Sequence, residues 1–164
     1  MPLHDHPNMS VYFKLMFGKL SYHSYDKIDP KFQYNQFSSD EYDEVLANRT
    51  KVEAKKSELK YLDKNNLLLV RPSCGNMHKF VAEEDSCFFD ICLPNYTTDS
   101  LRRITYFNEI SEHVGCDGTK HKENCATRTY LEYNTTPPVM PVGFDVIDVD
   151  YRGDIQEAGK TYGL

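Results

Sequence analysis

The apolar residues of this chain fall in short runs separated by turn residues, not in helical stripes. Residues 10–17, Ser-Val-Tyr-Phe-Lys-Leu-Met-Phe, are rich in aromatic and branched side chains and stop at Gly18. Residues 19–25 set Leu20, Tyr22 and Ser24 alternately against polar neighbours, so two strands joined by a tight turn are expected. From Asp29 to about Arg49 the chain turns polar. Within that stretch Ser38 and Glu41 have capping-box spacing, and Tyr42, Val45 and Leu46 supply a short apolar stripe, which predicts one helix on an exposed connection.

Further strands are expected at 50–60, at 67–71, where Leu-Leu-Leu-Val runs up to Pro72, and at 77–82. The pattern continues at 86–93, where Cys87, Phe89, Ile91 and Leu93 point one way and Phe88, Asp90 and Cys92 the other. One acid is thereby placed on a strand face. After Pro94 the pattern reopens at 103–110, passes through a polar segment at 111–127, and resumes at 128–134 and 142–151. Roughly eight to ten short strands, at most one helix and no internal repeat make the expected class all-β, a barrel or a two-sheet sandwich.

Composition narrows the function more than the fold. A chain of 164 residues, 40% hydrophobic, suffices for one domain with a single core. With 19 basic against 25 acidic residues the net charge is -6, which disfavours phosphate-rich partners, so nucleic acid is not expected. Met-Pro-Leu-His-Asp-His-Pro lacks the basic start and apolar run of a secretory signal, and no apolar stretch approaches membrane-spanning length. A cytoplasmic protein without membrane contact is the resulting expectation. The five cysteines are odd in number and contain no Cys-x-x-Cys pair, which fits a reducing compartment better than a disulfide framework.

Candidate chemistry begins with His4-Asp5-His6. On an extended segment, His-x-His sets both imidazoles on one face about 7 Å apart along the chain, so two ligands can converge on one ion. A pair of surface histidines is the plain alternative. A second segment, Pro72-Ser-Cys-Gly75-Asn-Met-His78, uses a glycine turn to deliver another histidine at the start of a strand, where it could complete a three-histidine site. By itself His78 reads equally as a core or loop histidine.

Taken together these segments resemble a known family. His4-Asp-His-Pro-Asn-Met9 with the strand to Gly18, then Gly75-Asn-Met-His78, Phe89-Asp-Ile and Leu93-Pro-Asn-Tyr96, are similar to the cysteamine dioxygenase and plant cysteine oxidase family. The likeness extends from residue 1 to about Gly153 and is strongest over 1–29 and 67–107. It implies a cupin, a double-stranded β-helix or jelly-roll barrel, spanning 1–153 as one domain with polar insertions near 30–49 and 111–127, and a tail at 154–164.

The resemblance further implies a non-haem Fe(II) held by His4, His6 and His78, and a reaction that puts O2 onto cysteamine or an N-terminal cysteine to give a sulfinate. Three neutral imidazoles would leave adjacent positions on the ion open for a thiolate, an amine and O2. By the same resemblance, Asp90 would hold the substrate amine or orient an iron ligand, and Tyr96 would donate a hydrogen bond in the pocket. A monomer acting on O2 and a small thiol or an N-terminal-cysteine peptide is the expected unit.

Two departures stand out. In Leu101-Arg-Arg-Ile-Thr-Tyr106, Ile104 occupies the place where animal members carry a cysteine that can cross-link to the tyrosine. Family members also carry early strands before the first histidine of the pair, whereas His4 here is almost the first residue, so these strands are expected to be lacking and metal affinity impaired. Three histidines and a water are also a zinc hydrolase's ligand set, so the ligands alone do not name the metal. His113, Cys116, His121 and Cys125 offer a separate zinc reading, and a non-catalytic cupin module is the alternative to an enzyme.

Overall fold

The computed structural model describes residues 1–32, 37–98, 102–113 and 127–134. Nine antiparallel strands dominate it: β1 (Ser10–Phe17), β2 (Leu20–Lys27), β3 (Lys51–Lys56), β4 (Lys60–Leu62), β5 (Leu67–Val70), β6 (Met77–Ala82), β7 (Cys87–Leu93), β8 (Tyr106–His113) and β9 (Thr127–Asn134). One helix, α1 (Ser39–Ala47), and a short 3-10 turn at Pro30–Phe32 complete the described elements. The all-β class expected from the patterning is the class observed, and it is consistent with the cupin that the resemblance implies.

The strands form two sheets. One has the order β5-β1-β7; the other runs β4-β2-β3-β9-β8, with β6 on the opposite edge of β2. Residues 1–5 then fill the seam between β6 and β8. His4 exchanges both backbone hydrogen bonds with His78, Phe80 N–H donates to the Met1 carbonyl, Phe107 N–H to that of Leu3, and Asp5 N–H to that of Thr105. The larger sheet therefore curls into a ring. Residues 3–6 are buried, and His4 is bridged to His78 on one side and to Tyr106 on the other.

Period-two alternation assigns the two faces of this ring wall. Leu3, Tyr25, Val52, Ala54, Met77, Phe107, Leu131 and Tyr133 pack inside, and Phe32, Phe37 and Tyr42 cap them. Outside, Leu20, Tyr22, Phe80 and Leu62 meet Phe13 and Leu15 of β1 across the gap between the sheets. Phe13 stacks on Phe80 at 4.6 Å between ring centroids. The metal-ligand candidates belong to this second layer.

Helix α1 starts where the capping box places it: Ser38 Oγ accepts from Glu41 N–H, and the Glu41 carboxylate accepts from Ser38 N–H. The two strands joined by a tight turn at Gly18 are as expected, and the strand expected over 50–60 is corrected. β1 and β2 do not pair; Gly18, at φ +89°, turns the chain from one sheet into the other, and a Cβ there would stand 2.4 Å from the Asp85 carbonyl. The strand expected over 50–60 is two, because residues 57–59 leave the ladder where Ser57 bonds back to Ser24. The strand expected at 142–151 lies outside the described residues.

Candidate metal centre

His4, His6 and His78 converge. Their nearest ring nitrogens all lie within 4.8 Å of one another, and each residue is at most 4% exposed. The two segments are held together by the ladder itself, since His4 and His78 are direct antiparallel partners. His6 enters one step further along, past the reach of β6. There Asn76, from the turn before β6, grips its backbone from both ends: Asn76 Nδ2 donates to the His6 carbonyl at 2.6 Å, and His6 N–H donates to Asn76 Oδ1 at 3.1 Å.

The hydrogen bonds fix which nitrogens face inward. His4 Nδ1 lies 2.9 Å from the Pro2 carbonyl, which can only accept, so Nδ1 carries the proton and Nε2 is left with its lone pair. Tyr96 O–H donates to the Asp5 carbonyl at 2.8 Å, so its oxygen accepts from His6 Nδ1–H at 2.6 Å, and His6 Nε2 is likewise unprotonated. His6 Nε2 stands 3.4 Å from His78 Nε2. Nitrogen atoms bound to one divalent ion at about 2.1 Å lie roughly 3.0–3.4 Å apart, so this spacing suits a shared cation.

Electrostatics favour the same occupant. Burial is the main force that keeps all three imidazoles neutral; neighbouring histidines add to it for His6 and His78 and the N-terminal ammonium for His4, and His6 is held down to about 3. Neutral imidazole is the form that ligates a metal, so the ligands are ready without proton loss near neutral pH. His78 Nδ1 is buried without a well-formed hydrogen bond, and the nearby Gly75 backbone opposes the lowering of this imidazole as the smallest of its causes. The donor set fits a divalent transition metal and does not separate iron from zinc.

Behind the ligands, on the inner side of the ring wall, sits Asp5. It is fully buried; its Oδ1 accepts from Thr105 N–H at 2.9 Å, and its Oδ2 lies 3.9 Å from Lys27 Nζ. Lys27 is almost as deeply buried. It donates to the Tyr133 hydroxyl at 3.3 Å and lies over the rings of Phe107 and Tyr133 at 5.3 and 5.4 Å. The Thr105 hydroxyl bonds in turn to Tyr42. Burial lowers Lys27 to about 8, against the opposing pull of Asp5.

Asp90 stands on β7 opposite Phe13, half-buried on the face that turns inward, and one of its carboxylate oxygens is buried without a hydrogen-bond partner. Burial raises it to about 6. It is near enough to Cys92 and Tyr96 to raise both by its charge, in second place to burial for Cys92 and behind several causes for Tyr96. Tyr106 brings a further ring to within 6.3 Å of His4.

The structure thus brings His4, His6, His78 and Tyr96 together, with Asp90 at the rim of the same group. Tyr96 donates to the Asp5 carbonyl, and its oxygen meets the His6 ring. Asp5, Lys27 and Asn76 were not singled out from the sequence; the only available signals were an acid between two ligands and an asparagine beside the Gly75 turn. Cys116, His121 and Cys125 of the alternative zinc reading lie outside the described residues, as does the side chain of His113. Among the described residues, the three histidines form the one group with metal-binding geometry.

Comparison with known proteins agrees with this geometry. The PCO_ADO family model matches residues 1–155. The chain is 30% identical to plant cysteine oxidase 1 of Arabidopsis thaliana over 111 residues, which is 67% of this chain and 34% of that protein. It is 31% identical to plant cysteine oxidase 2 of the same plant over 108 residues, 65% of this chain and 35% of the relative. A probable 2-aminoethanethiol dioxygenase of Dictyostelium discoideum is 26% identical over 112 residues, 68% of this chain and 46% of the relative. The aligned part therefore spans about a third to a half of the length of these relatives. No helix among the described residues is long and apolar enough to cross a membrane. On the family match over residues 1–155, together with the three-histidine cluster it contains, the chain belongs to the PCO_ADO family.

Proposed function

We propose that this chain is a thiol dioxygenase that binds Fe(II) through His4, His6 and His78 and converts cysteamine, or a cysteine at a peptide N-terminus, to its sulfinate. The observation that carries the reading is the convergence of three buried, neutral imidazoles, with the Nε2 atoms of His4 and His6 left unprotonated by the hydrogen bonds of their Nδ1 atoms. Relatives named cysteine oxidase and 2-aminoethanethiol dioxygenase supply the reaction class. Bound Fe(II) would supply a centre on which thiolate and O2 meet and exchange electrons. The balance closes without an outside reductant: one thiol and one O2 give one sulfinic acid, the sulfur supplying every electron that oxygen takes up.

The chain's own residues do the positioning. Tyr96 and the Pro2 carbonyl fix the tautomers of His6 and His4, so both present a lone pair inward. Phe13, Phe80 and Phe88 wall the space between the sheets with apolar rings, which limits water beside the ligands. Asp90, ionised above about pH 6, is the carboxylate that would hold the substrate ammonium next to the ligands.

The test is anaerobic loading with Fe(II), then exposure to O2 with cysteamine or a peptide that begins with cysteine. A mass gain of two oxygen atoms, lost in His78→Ala, is expected. Folded, iron-loaded protein that oxidises neither thiol would overturn the proposal.

A further inference from the structure

The strongest feature that the proposed chemistry leaves unused is the buried ion pair behind the ligands. Asp5 lies between His4 and His6, so period two turns its carboxylate to the opposite side of the seam strand, into the ring interior. There it is fully buried, against a lysine whose side chain is 4% exposed. Burying two charges in an apolar interior costs much of what their attraction returns, so a pair of this kind is a weak device for stability alone. Its location is what distinguishes it.

Three separate segments of the chain meet at Asp5. Its backbone N–H and its Oδ1 both bond to Thr105 ahead of β8, its Oδ2 faces Lys27 on β2, and its carbonyl receives the Tyr96 hydroxyl from the segment after β7. The neighbouring His4 is pinned to β6. A rotation or slide of the seam strand would swing both imidazoles, and it would also break the Thr105 bond and carry Asp5 away from Lys27. Lys27 is itself fixed by the Tyr133 hydroxyl and two aromatic rings, so it offers a rigid reference point.

We infer that the Asp5–Lys27 pair is a positioning device for the metal: it sets the rotation and register of the His4-x-His6 strand so that both Nε2 atoms meet that of His78. This rests on the metal-site reading above and adds to it two residues that touch neither metal nor substrate. It acts through the contact between the two side chains, so removing either one should do much what removing both does, and the two losses should not add.

The experiment is a double-mutant cycle read by Co(II) binding, with metal affinity and the visible absorption of bound Co(II) as readouts and the unfolding midpoint measured alongside. Asp5→Asn keeps an oxygen for Thr105 N–H and removes only the anion. It and Lys27→Met should each weaken Co(II) binding on the order of 10–100-fold and alter the absorption band. Asp5→Asn/Lys27→Met should be weakened no further than the weaker single variant and show a similarly altered band, and Lys27→Arg, which keeps the charge, should stay near wild type.

Single variants that fold less stably yet bind Co(II) with unchanged affinity and spectrum would overturn the inference and leave the metal site standing. A double variant with native affinity and a native band would overturn it as well. If either single variant does not fold, the same comparison is made between wild type, Lys27→Arg and the double variant. A shifted band in Lys27→Arg, or a native band in the double variant, would then overturn the inference. Failure of the wild-type chain to take up any metal would instead overturn the metal-site reading itself.

Discussion

The Tyr96 hydroxyl and His6 Nδ1 are 2.6 Å apart, and the direction of that hydrogen bond is set by a third group, the Asp5 carbonyl, which takes the tyrosine's only proton. His6 must therefore donate, and its Nε2 keeps the lone pair that a metal would take. One side chain thus fixes the tautomer of one histidine and braces the strand that carries two. Burial first, and then the nearby acids, push the Tyr96 phenol far above its usual range, so it stays a neutral hydroxyl at any working pH.

From this follows the effect of Tyr96→Phe. The ring keeps its place beside His6, while His6 Nδ1–H and the Asp5 carbonyl lose a partner. Metal affinity should fall about 10–100-fold, as is usual when a group that orients a ligand is removed. An equilibrium titration with Fe(II) under argon measures it. Unchanged affinity would show that the hydroxyl does not hold His6.

Asp90→Asn should separate stability from activity. The folded pKa is raised above the unfolded value by burial, so the carboxyl contributes least penalty below about pH 3.8 and destabilises progressively as pH rises through about 6. The amide carries no charge to desolvate. The variant should then be more stable than wild type at pH 8 and no more stable at pH 4, by urea unfolding at both. If Asp90 holds the substrate ammonium, KM for cysteamine should rise at least tenfold in the same variant, in line with the loss of a charge-assisted hydrogen bond. A KM left unchanged would remove Asp90 from the substrate site.

How much of this was legible in the sequence depends on the distance over which each feature is determined. Strand periodicity is local, and the expected strands at 10–17, 77–82 and 86–93 agree with β1, β6 and β7 to within a residue. The capping box of α1 is equally local, set by Ser38 and Glu41 alone. Pairing is not local: β1 and β2 follow one another through Gly18 yet enter different sheets, because Phe13 finds Phe80 and Phe88 while Tyr25 finds the ring interior. Leu67 and Leu69 look like core in the sequence, but alternation leaves them on the outer face of β5, 68% and 39% exposed. The ligand set could be found because each motif is short. Asp5 and Lys27 could not, since only the closed ring brings an acid between two histidines against a lysine of β2.

The same ring determines how the fold should respond to acid, and two groups act in different pH ranges. For His6 the folded pKa, about 3, is depressed below the unfolded value near 6.5 by burial and by His4. Its contribution is then complete above about pH 6.5 and is lost as pH falls from there toward 3, because only the unfolded chain takes up the proton. Glu109 comes later. Burial alone would raise its carboxyl, but hydrogen bonds from Lys56 at 2.8 Å, Lys79 at 2.9 Å and Tyr25 at 2.9 Å outweigh that and hold it at about 2. Its contribution is present above about pH 4.5 and is lost as pH falls from there to 2. Metal-free protein should accordingly lose stability in two stages, the first beginning below pH 6.5. Glu109→Gln should remove part of the second stage, at some cost at pH 7, because a neutral amide cannot match both lysines, and should leave the first untouched. Urea midpoints at half-unit intervals from pH 7 to pH 3, for wild type and Glu109→Gln, test this. Parallel curves below pH 4.5 would show that the Lys56–Glu109–Lys79 cluster contributes nothing to acid stability.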